Sequence, residues 1–452
     1  MTEPRLLRGA PVAKRIRAEA AAGVRVIEAT AGVTPALVTV QIGHDPSSSA
    51  YREAIRRSVT SVGIRHQHLG LPLSTSPAGL VATIEGLNRS AEVHGILVLM
   101  PLPERLGADL VLEHLSPFKD VDGITPTNAG RLFLGLPSLR PSTPQGGLEL
   151  LDHYRLPVAG QHVAVVGRSP VVGRPLGMLM LLRNATVTLC HRQTPDLATE
   201  TRRADVVALA AGSPGLLTGD MVRPGATVLD FGVNVVDSAL VGDADETSVS
   251  QVAGAYTPVP GGTGPVTAAV LARNTVAAAY VAAGALTYAL VYTLGLKRRT
   301  PWNIVIGGAA GSFAVLAGAA AADPKIGPLA WTLALVLLLW TPPHFWSLAI
   351  ANEEQYRAAG VPMLPVVVGA ARSARIVHVH ALALVAVSLL LLPLGAGWLV
   401  LAGAAAGGVH FLRKTHALMR RPERKTAMAA FFASMVQLSS LLTAVVVDAA
   451  LR

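Results

Sequence analysis

A set of residues able to cradle a phosphate stands at Gly167-Arg168-Ser169-Pro170-Val171-Val172-Gly173-Arg174-Pro175. It follows the apolar run His162–Val166 (HVAVV), which has the length of a buried strand, and precedes a helical stretch reaching about Arg183. Strand, glycine turn and helix in that order let the backbone approach a pyrophosphate. The helix N-terminus then offers unbonded N–H groups and the positive end of its dipole. The spacing is not the common GxGxxG, and a plain structural turn stays open as the alternative. The next strand, Thr186–Cys190, ends at His191-Arg192. An acidic residue there would bind a free ribose 2′-hydroxyl. Arginine favours a 2′-phosphate instead, with Arg168 as a second cation, which points to NADP over NAD. Two solvated surface arginines are the competing reading.

The surrounding elements read as α/β. Residues 10–29 form an amphipathic helix, Leu37–Ile42 a strand ended by Gly43-His44-Asp45-Pro46, and 49–62 a second helix. His94–Leu99 is a buried parallel strand stopped by Pro101-Leu102-Pro103. A second unit starts near residue 145. Val206–Ala210 and Val228–Phe231 add strands, followed by Gly212-Ser213-Pro214-Gly215 and Gly232-Val233-Asn234 at the strand ends where open α/β sheets bind ligands. Alternating strands and helices predict parallel sheets with covered faces.

Composition divides the chain. It has 452 residues, 51% hydrophobic and 15% charged. Beyond about 285 the carboxylates are only Asp323, Glu353, Glu354, Glu423 and Asp448, too few for a soluble domain. The net charge of +10 does not imply nucleic acid, because many cations sit in short loops between apolar runs. A single cysteine, Cys190, excludes an intrachain disulfide and a multi-cysteine metal site. The start of the chain is charged and lacks an apolar h-region, so a cleaved signal peptide is not expected and the first domain is expected in the cytoplasm.

Several segments together resemble the FolD family, methylenetetrahydrofolate dehydrogenase/cyclohydrolase, across residues 5–280. They are Gly43 to Ser49 with Tyr51, Pro101-Leu102-Pro103, Lys119-Asp120-Val121-Asp122-Gly123, Pro141-Ser142-Thr143-Pro144, Gly167 to Pro175, and Thr257 to Pro265. The resemblance implies an N-terminal folate-binding α/β domain at 1–140, joined by a last helix at 266–283, and a Rossmann NADP-binding domain at 141–265. The two face each other across a cleft, and the family is usually homodimeric. Tyr51 and Asp122 are the implied catalytic residues. Both also contact the tetrahydrofolate substrate, with Pro260, Gly261 and Gly262 on a closing loop. Gly167, Arg168, Ser169, Gly173, Arg192 and Val233 are the implied NADP contacts, and no metal site is implied.

Two departures follow. The family lysine one helical turn after the motif tyrosine is Ile55, and the family glutamine before Pro-Leu-Pro is Leu99. In the family these polar groups handle the proton of the cyclohydrolase step. Isoleucine and leucine neither give nor take a proton, and Arg52 and Arg56 nearby make poor bases. Hydride transfer mainly needs positioning. The expectation is a dehydrogenase with its cyclohydrolase step lost, or a non-catalytic folate- or nucleotide-binding fusion.

Apolar runs at about 302–321, 329–350, 376–394, 397–412 and 428–448 predict about five membrane spans. Loops at 297–299, 351–375 and 413–427 hold twelve lysines and arginines, against Lys325 and Arg452 on the other side, which places the first group in the cytoplasm. This region, 286–445, resembles the C-terminal part of protoheme IX farnesyltransferase (haem O synthase, a UbiA-type prenyltransferase). The resemblance rests on Leu296 to Pro301, Asn303 to Gly308, Thr341 to Trp346 and Tyr356 to Val366. Such enzymes hold a diphosphate through Mg²⁺ on two carboxylate motifs. The first is not found here, and Gln355 takes an aspartate position of the second. Residues 285–452 therefore read as a partial prenyltransferase-like domain, and farnesyl transfer would need a partner chain supplying a missing half. The stretch 285–296 is too short to span. The expected fold class is an α/β two-domain unit (N-terminal α/β domain plus Rossmann domain) followed by an all-α multi-span transmembrane region. Its expected location is a lipid bilayer, with the enzyme part on the cytoplasmic side.

Overall fold

A computed structural model describes residues 4–237, 239–286, 296–322 and 327–451. Most of the 285–296 stretch, Asp323 and Lys325 fall outside the described residues. The chain separates into two compact units: residues 1–279 with 320–324, and residues 280–319 with 325–452.

Among the described residues, eleven strands lie in the first unit: β1 (Arg5–Leu6), β2 (Ala36–Ile42), β3 (Arg65–Leu71), β4 (Gly95–Val98), β5 (His162–Val166), β6 (Thr186–Cys190), β7 (Val206–Leu209), β8 (Thr227–Asp230), β9 (Asn234–Val236), β10 (Ala239–Val241) and β11 (Ala255–Tyr256). A three-stranded parallel sheet has the order β3-β2-β4. A six-stranded parallel sheet has the order β1-β11-β8-β7-β5-β6. The inner strands β5 and β7 are apolar on both sides because both faces are covered. Val163, Val165, Val206 and Ala208 pack into one core, while Ala164, Val166, Val207 and Leu209 pack into the other.

Some elements differ from the sequence reading. The sequence pattern does not predict the strand β3 (RHQHLGL). It is a sheet edge, largely exposed, so it carries no apolar run for a pattern to find. The helix expected at 49–62 runs Pro46–Thr60, because Asp45 caps it with a carboxylate oxygen 2.7 Å from the Ser48 amide. Arg5 and Leu6, first in the chain, join the larger sheet rather than the smaller one.

The helix Thr263–Leu286 belongs to the first unit as far as Ala279 and continues into the second. It is apolar and long enough to cross a bilayer, yet 89% of its apolar window is buried inside the protein. Its Arg273 donates to Glu149 at 2.8 Å and its Asn274 to the Val121 carbonyl at 2.7 Å. These contacts mark it as a core helix.

The second unit is helical. Among the described residues, Pro328–Ala351, Ala370–Leu389 and Arg424–Leu451 are long and apolar enough to span a membrane. Trp398–Arg420 is of similar length, with its cations at one end. The run expected at 302–321 is two shorter helices, Asn303–Gly307 and Ala309–Ala322, separated at Gly308. The run expected at 376–394 is helical from Ala370 to Leu389. Pro342 and Pro343 lie inside a helix, and Ser347 returns a hydroxyl hydrogen bond to the Pro343 carbonyl at 2.6 Å.

Candidate functional site

The helix Pro46–Thr60 starts just past the C-terminal end of β2 and carries Tyr51 and Ile55 one turn apart. Tyr51 is 36% exposed, yet its phenol lies close to Asp122 and Ser142. Burial, followed by the Asp122 charge, pushes that phenol well above its ordinary range. Ser142 opens the helix Ser142–Tyr154 and gives Asp122 two donors, its hydroxyl and its backbone N–H. Burial still dominates, and Asp122 is pushed up from 3.8 to about 6. Tyr51 and Asp122, chosen from sequence, are thus brought together. Ser142 joins them by opening a helix against Asp122, a role that a short motif does not reveal.

Ile55 is fully buried and Leu99 is 3% exposed. Both are packed apolar groups, so the two positions where the resemblance expects polar side chains are dry. On β2, one residue past the Val40–Val98 pairing, stands Gln41, also buried. Its amide nitrogen donates to Ser49 Oγ at 3.2 Å, and its oxygen accepts from Arg52 at 3.3 Å. Arg52 also reaches His68 Nε2 at 2.7 Å. This polar chain fixes Arg52 against the sheet. Arg52 thus takes its partners from β2 and from the edge strand β3, which has no apolar run to mark it in the sequence.

The second group of chosen residues gathers at the C-terminal ends of the larger sheet. Gly167 follows β5 with φ +130°, and an added Cβ would run into the Ala210 carbonyl. At Gly173 an added Cβ would strike the Gly167 carbonyl, so the turn closes only with glycine at both places. Ser169 Oγ accepts from the Val172 and Gly173 amides at 3.0 and 3.3 Å, setting the entry to the helix Gly173–Leu181. Arg168 and Arg192 are exposed beside this turn, after β5 and β6 respectively. Val233 is 66% exposed after β8. The loop with Pro260, Gly261 and Gly262 is held before, within and after it: Thr257 N–H donates to the Val228 carbonyl at 3.0 Å, Gly9 N–H to the Gly261 carbonyl at 2.8 Å, and Thr263 Oγ1 to the Asp230 carbonyl at 3.1 Å.

Sequence reading missed Asp243, which organises this rim. It is fully buried and accepts from the amides of Ala211, Gly212 and Ser213 and from the Asn234 side chain, at 2.7 to 2.9 Å. One carboxylate therefore shapes the loops after β7 and β8. Beside it, burial pushes Asp230 up to about 6.

A tight glycine turn, two cations beside it and a tyrosine–aspartate pair on the smaller sheet form a combination that the comparisons resolve. Sequence profiles match the tetrahydrofolate dehydrogenase/cyclohydrolase catalytic domain over residues 7–122 and the NAD(P)-binding domain of the same enzymes over 141–283. The bifunctional protein FolD of Chloroflexus aurantiacus is 48% identical over 275 residues, covering 61% of this chain and 96% of that protein. The chain belongs to the FolD family. The FolD relative from Thermomicrobium roseum is 50% identical over 240 residues, 53% of this chain and 83% of that one. Among solved structures, Campylobacter jejuni FolD aligns with a TM-score of 0.59 at 38% identity, covering 61% of this chain and 98% of its own. The Trypanosoma brucei FolD, solved with NADP cofactor and inhibitor, aligns at 0.60 and 33%, covering 62% and 98%. Residues 256–440 match the UbiA prenyltransferase family. The chain is thus a FolD enzyme fused to a UbiA-type domain, as the motifs implied.

Proposed function

We propose that the FolD part oxidises 5,10-methylenetetrahydrofolate to 5,10-methenyltetrahydrofolate with NADP, and that the following hydrolysis is lost. The observation that carries this reading is the burial of Ile55 and Leu99 as apolar groups beside an intact Tyr51–Asp122–Ser142 cluster. Opening the methenyl bridge requires a group that moves a proton at the bridge, and neither hydrocarbon does so. Asp122, ionised, accepts hydrogen bonds from the amide and amine edge of a reduced pterin. Tyr51 offers its half-exposed ring as a platform. Pro260, Gly261 and Gly262 cover the substrate.

The glycine turn suits a pyrophosphate, because its backbone closes on itself only with glycine at 167 and 173 and leads directly into the N-terminus of the helix Gly173–Leu181. Bound NADP supplies the hydride acceptor. Arg168 and Arg192 hold its 2′-phosphate, and Val233 packs against the nicotinamide end. In this reading the FolD part works as a homodimer on the cytoplasmic side, tethered by the UbiA-type domain. That domain would need Mg²⁺ only if it transferred a prenyl group. Glu353 is drawn into an ion pair with Arg357, and Gln355 brings no charge.

The test is cofactor reduction by the full chain in detergent, with product identification. The expected result is methenyltetrahydrofolate accumulating with NADP, and a preference shifted toward NAD by about tenfold or more in Arg192→Glu. Rapid release of formyltetrahydrofolate would overturn the loss of hydrolysis. No reduction with either cofactor would overturn the dehydrogenase.

A further inference from the structure

Arg413, Lys414 and Arg420 occupy the last turns of the helix Trp398–Arg420, Arg421 follows it as its C-cap, and Arg424 and Lys425 open the helix Arg424–Leu451. All six are exposed. Among the described residues none of them joins an ion pair, and Glu423 is the only carboxylate between them. Packing brings these charges together. Gly403 and Gly407 let the two helices meet closely against Ser440 and Gln437, so the charged ends lie side by side. The helix Ala370–Leu389 aligns with the same end, since His378 Nδ1 and Thr415 Oγ1 are 2.9 Å apart, and it adds Arg375. The opposite end of these helices holds no lysine or arginine among the described residues. Asp448 lies there and accepts from the Gly397 amide at 2.9 Å. Between the ends the outer surface is apolar and exposed, with Leu399, Phe432, Val436 and Val447.

We propose that this basic hairpin binds the headgroups of anionic phospholipids. Helices of this length, at about 1.5 Å per residue, carry their ends to the level of lipid phosphates when their apolar middle lies in hydrocarbon. Unpaired lysines and arginines held there meet phosphodiester oxygens without first breaking a protein ion pair. Arginine adds paired N–H donors matched to phosphate. A lipid phosphate is the occupant because the same helices that present the cations continue directly into exposed apolar faces. Each cation at an anionic surface contributes about fivefold in partition.

The experiment uses the full chain, purified and reconstituted in nanodiscs of phosphatidylcholine with a minor fraction of phosphatidylglycerol. After gentle detergent release, the lipids that stay bound are identified by native mass spectrometry. Phosphatidylglycerol is expected to be enriched at least several-fold over the starting mixture, and high salt is expected to reduce that enrichment. Combining Arg420→Gln, Arg421→Gln, Arg424→Gln and Lys425→Gln should bring the ratio back toward that of the mixture. The charge-keeping set Arg420→Lys, Arg421→Lys and Arg424→Lys should retain most of the enrichment, which separates charge from folding. Bound lipid matching the mixture in the unaltered chain would overturn the proposal. Full enrichment in the glutamine variant would overturn it too, as would RNA displacing phosphatidylglycerol from the unaltered chain at equal phosphate concentration.

Discussion

At the residue scale the decisive group is Asp122. Its proton is held to about pH 6 in the folded chain against an ordinary value of 3.8. Substrate recognition by the carboxylate therefore weakens as pH falls through about 6, and the KM for methylenetetrahydrofolate should rise there. Asp122→Asn should leave KM high and flat across the same range, as steady-state kinetics from pH 5 to 8 would reveal. Stability moves the opposite way. A raised carboxyl pKa favours the folded state at low pH, and that contribution is lost as pH rises through about 6. Asp122→Asn should therefore raise Tm more at pH 8 than at pH 4, by a difference worth on the order of 2 kcal/mol. Equal shifts at both pH values in thermal melts would refute the assignment. Ile55 tests the lost step. Ile55→Lys alone places an ammonium in a dry pocket and should lower stability by about 3 kcal/mol or more. Ile55→Lys with Leu99→Gln should release some formyltetrahydrofolate, measured by product chromatography. These two substitutions were legible in the sequence, because position within a motif identifies them. The part played by Ser142 was not, because its contact with Asp122 is made across twenty residues of chain.

At the element scale, two features carry the cofactor turn and the helical frame. Gly173→Ala drives a Cβ into the Gly167 carbonyl, so nicotinamide cofactor affinity should fall by about tenfold or more in a calorimetric titration. Glu149 ties three helices together. Buried in the helix Ser142–Tyr154, it accepts from Arg15 of the helix Gly9–Ala31 at 2.6 Å and from Arg273 of Thr263–Leu286 at 2.8 Å. Burial alone would raise its pKa, but the two arginines outweigh burial and hold it below the ordinary range. Its stabilisation is present at neutral pH and is lost as pH falls through that lowered value. Glu149→Ala leaves Arg273 buried without its anion and should cost about 3–5 kcal/mol in denaturant unfolding. The strand β5, a continuous apolar run, and β6, an alternation of threonine with apolar residues, are readable to the residue. The polar edge strand β3 was hidden, because its stability comes from pairing with β2 rather than from its own pattern.

At the scale of the whole molecule, a FolD enzyme and a UbiA-type membrane domain share one chain. The full chain should stay in the membrane fraction after an alkaline carbonate wash, with NADP-dependent reduction recovered from that fraction. Release of the intact chain into the supernatant would contradict integral membrane insertion. Hydropathy alone ranks Thr263–Gly284 beside the span candidates of the second unit. Burial and the Arg273 and Asn274 hydrogen bonds identify it as the closing helix of the enzyme.

The sequence by itself determined the division of the chain, the family of each part, the two missing polar groups and the glycine turn. Each of these is written in local order, as a motif, a period or a count of charges. Only the tertiary structure decided that Ser142 and Asp122 share a hydrogen bond, that Asp243 collects the amides of two loops, and that an apolar helix is buried in protein. Those facts depend on which distant segments meet. The free energy of a hydrogen bond or a buried face belongs to the contact, and no stretch of chain carries it alone.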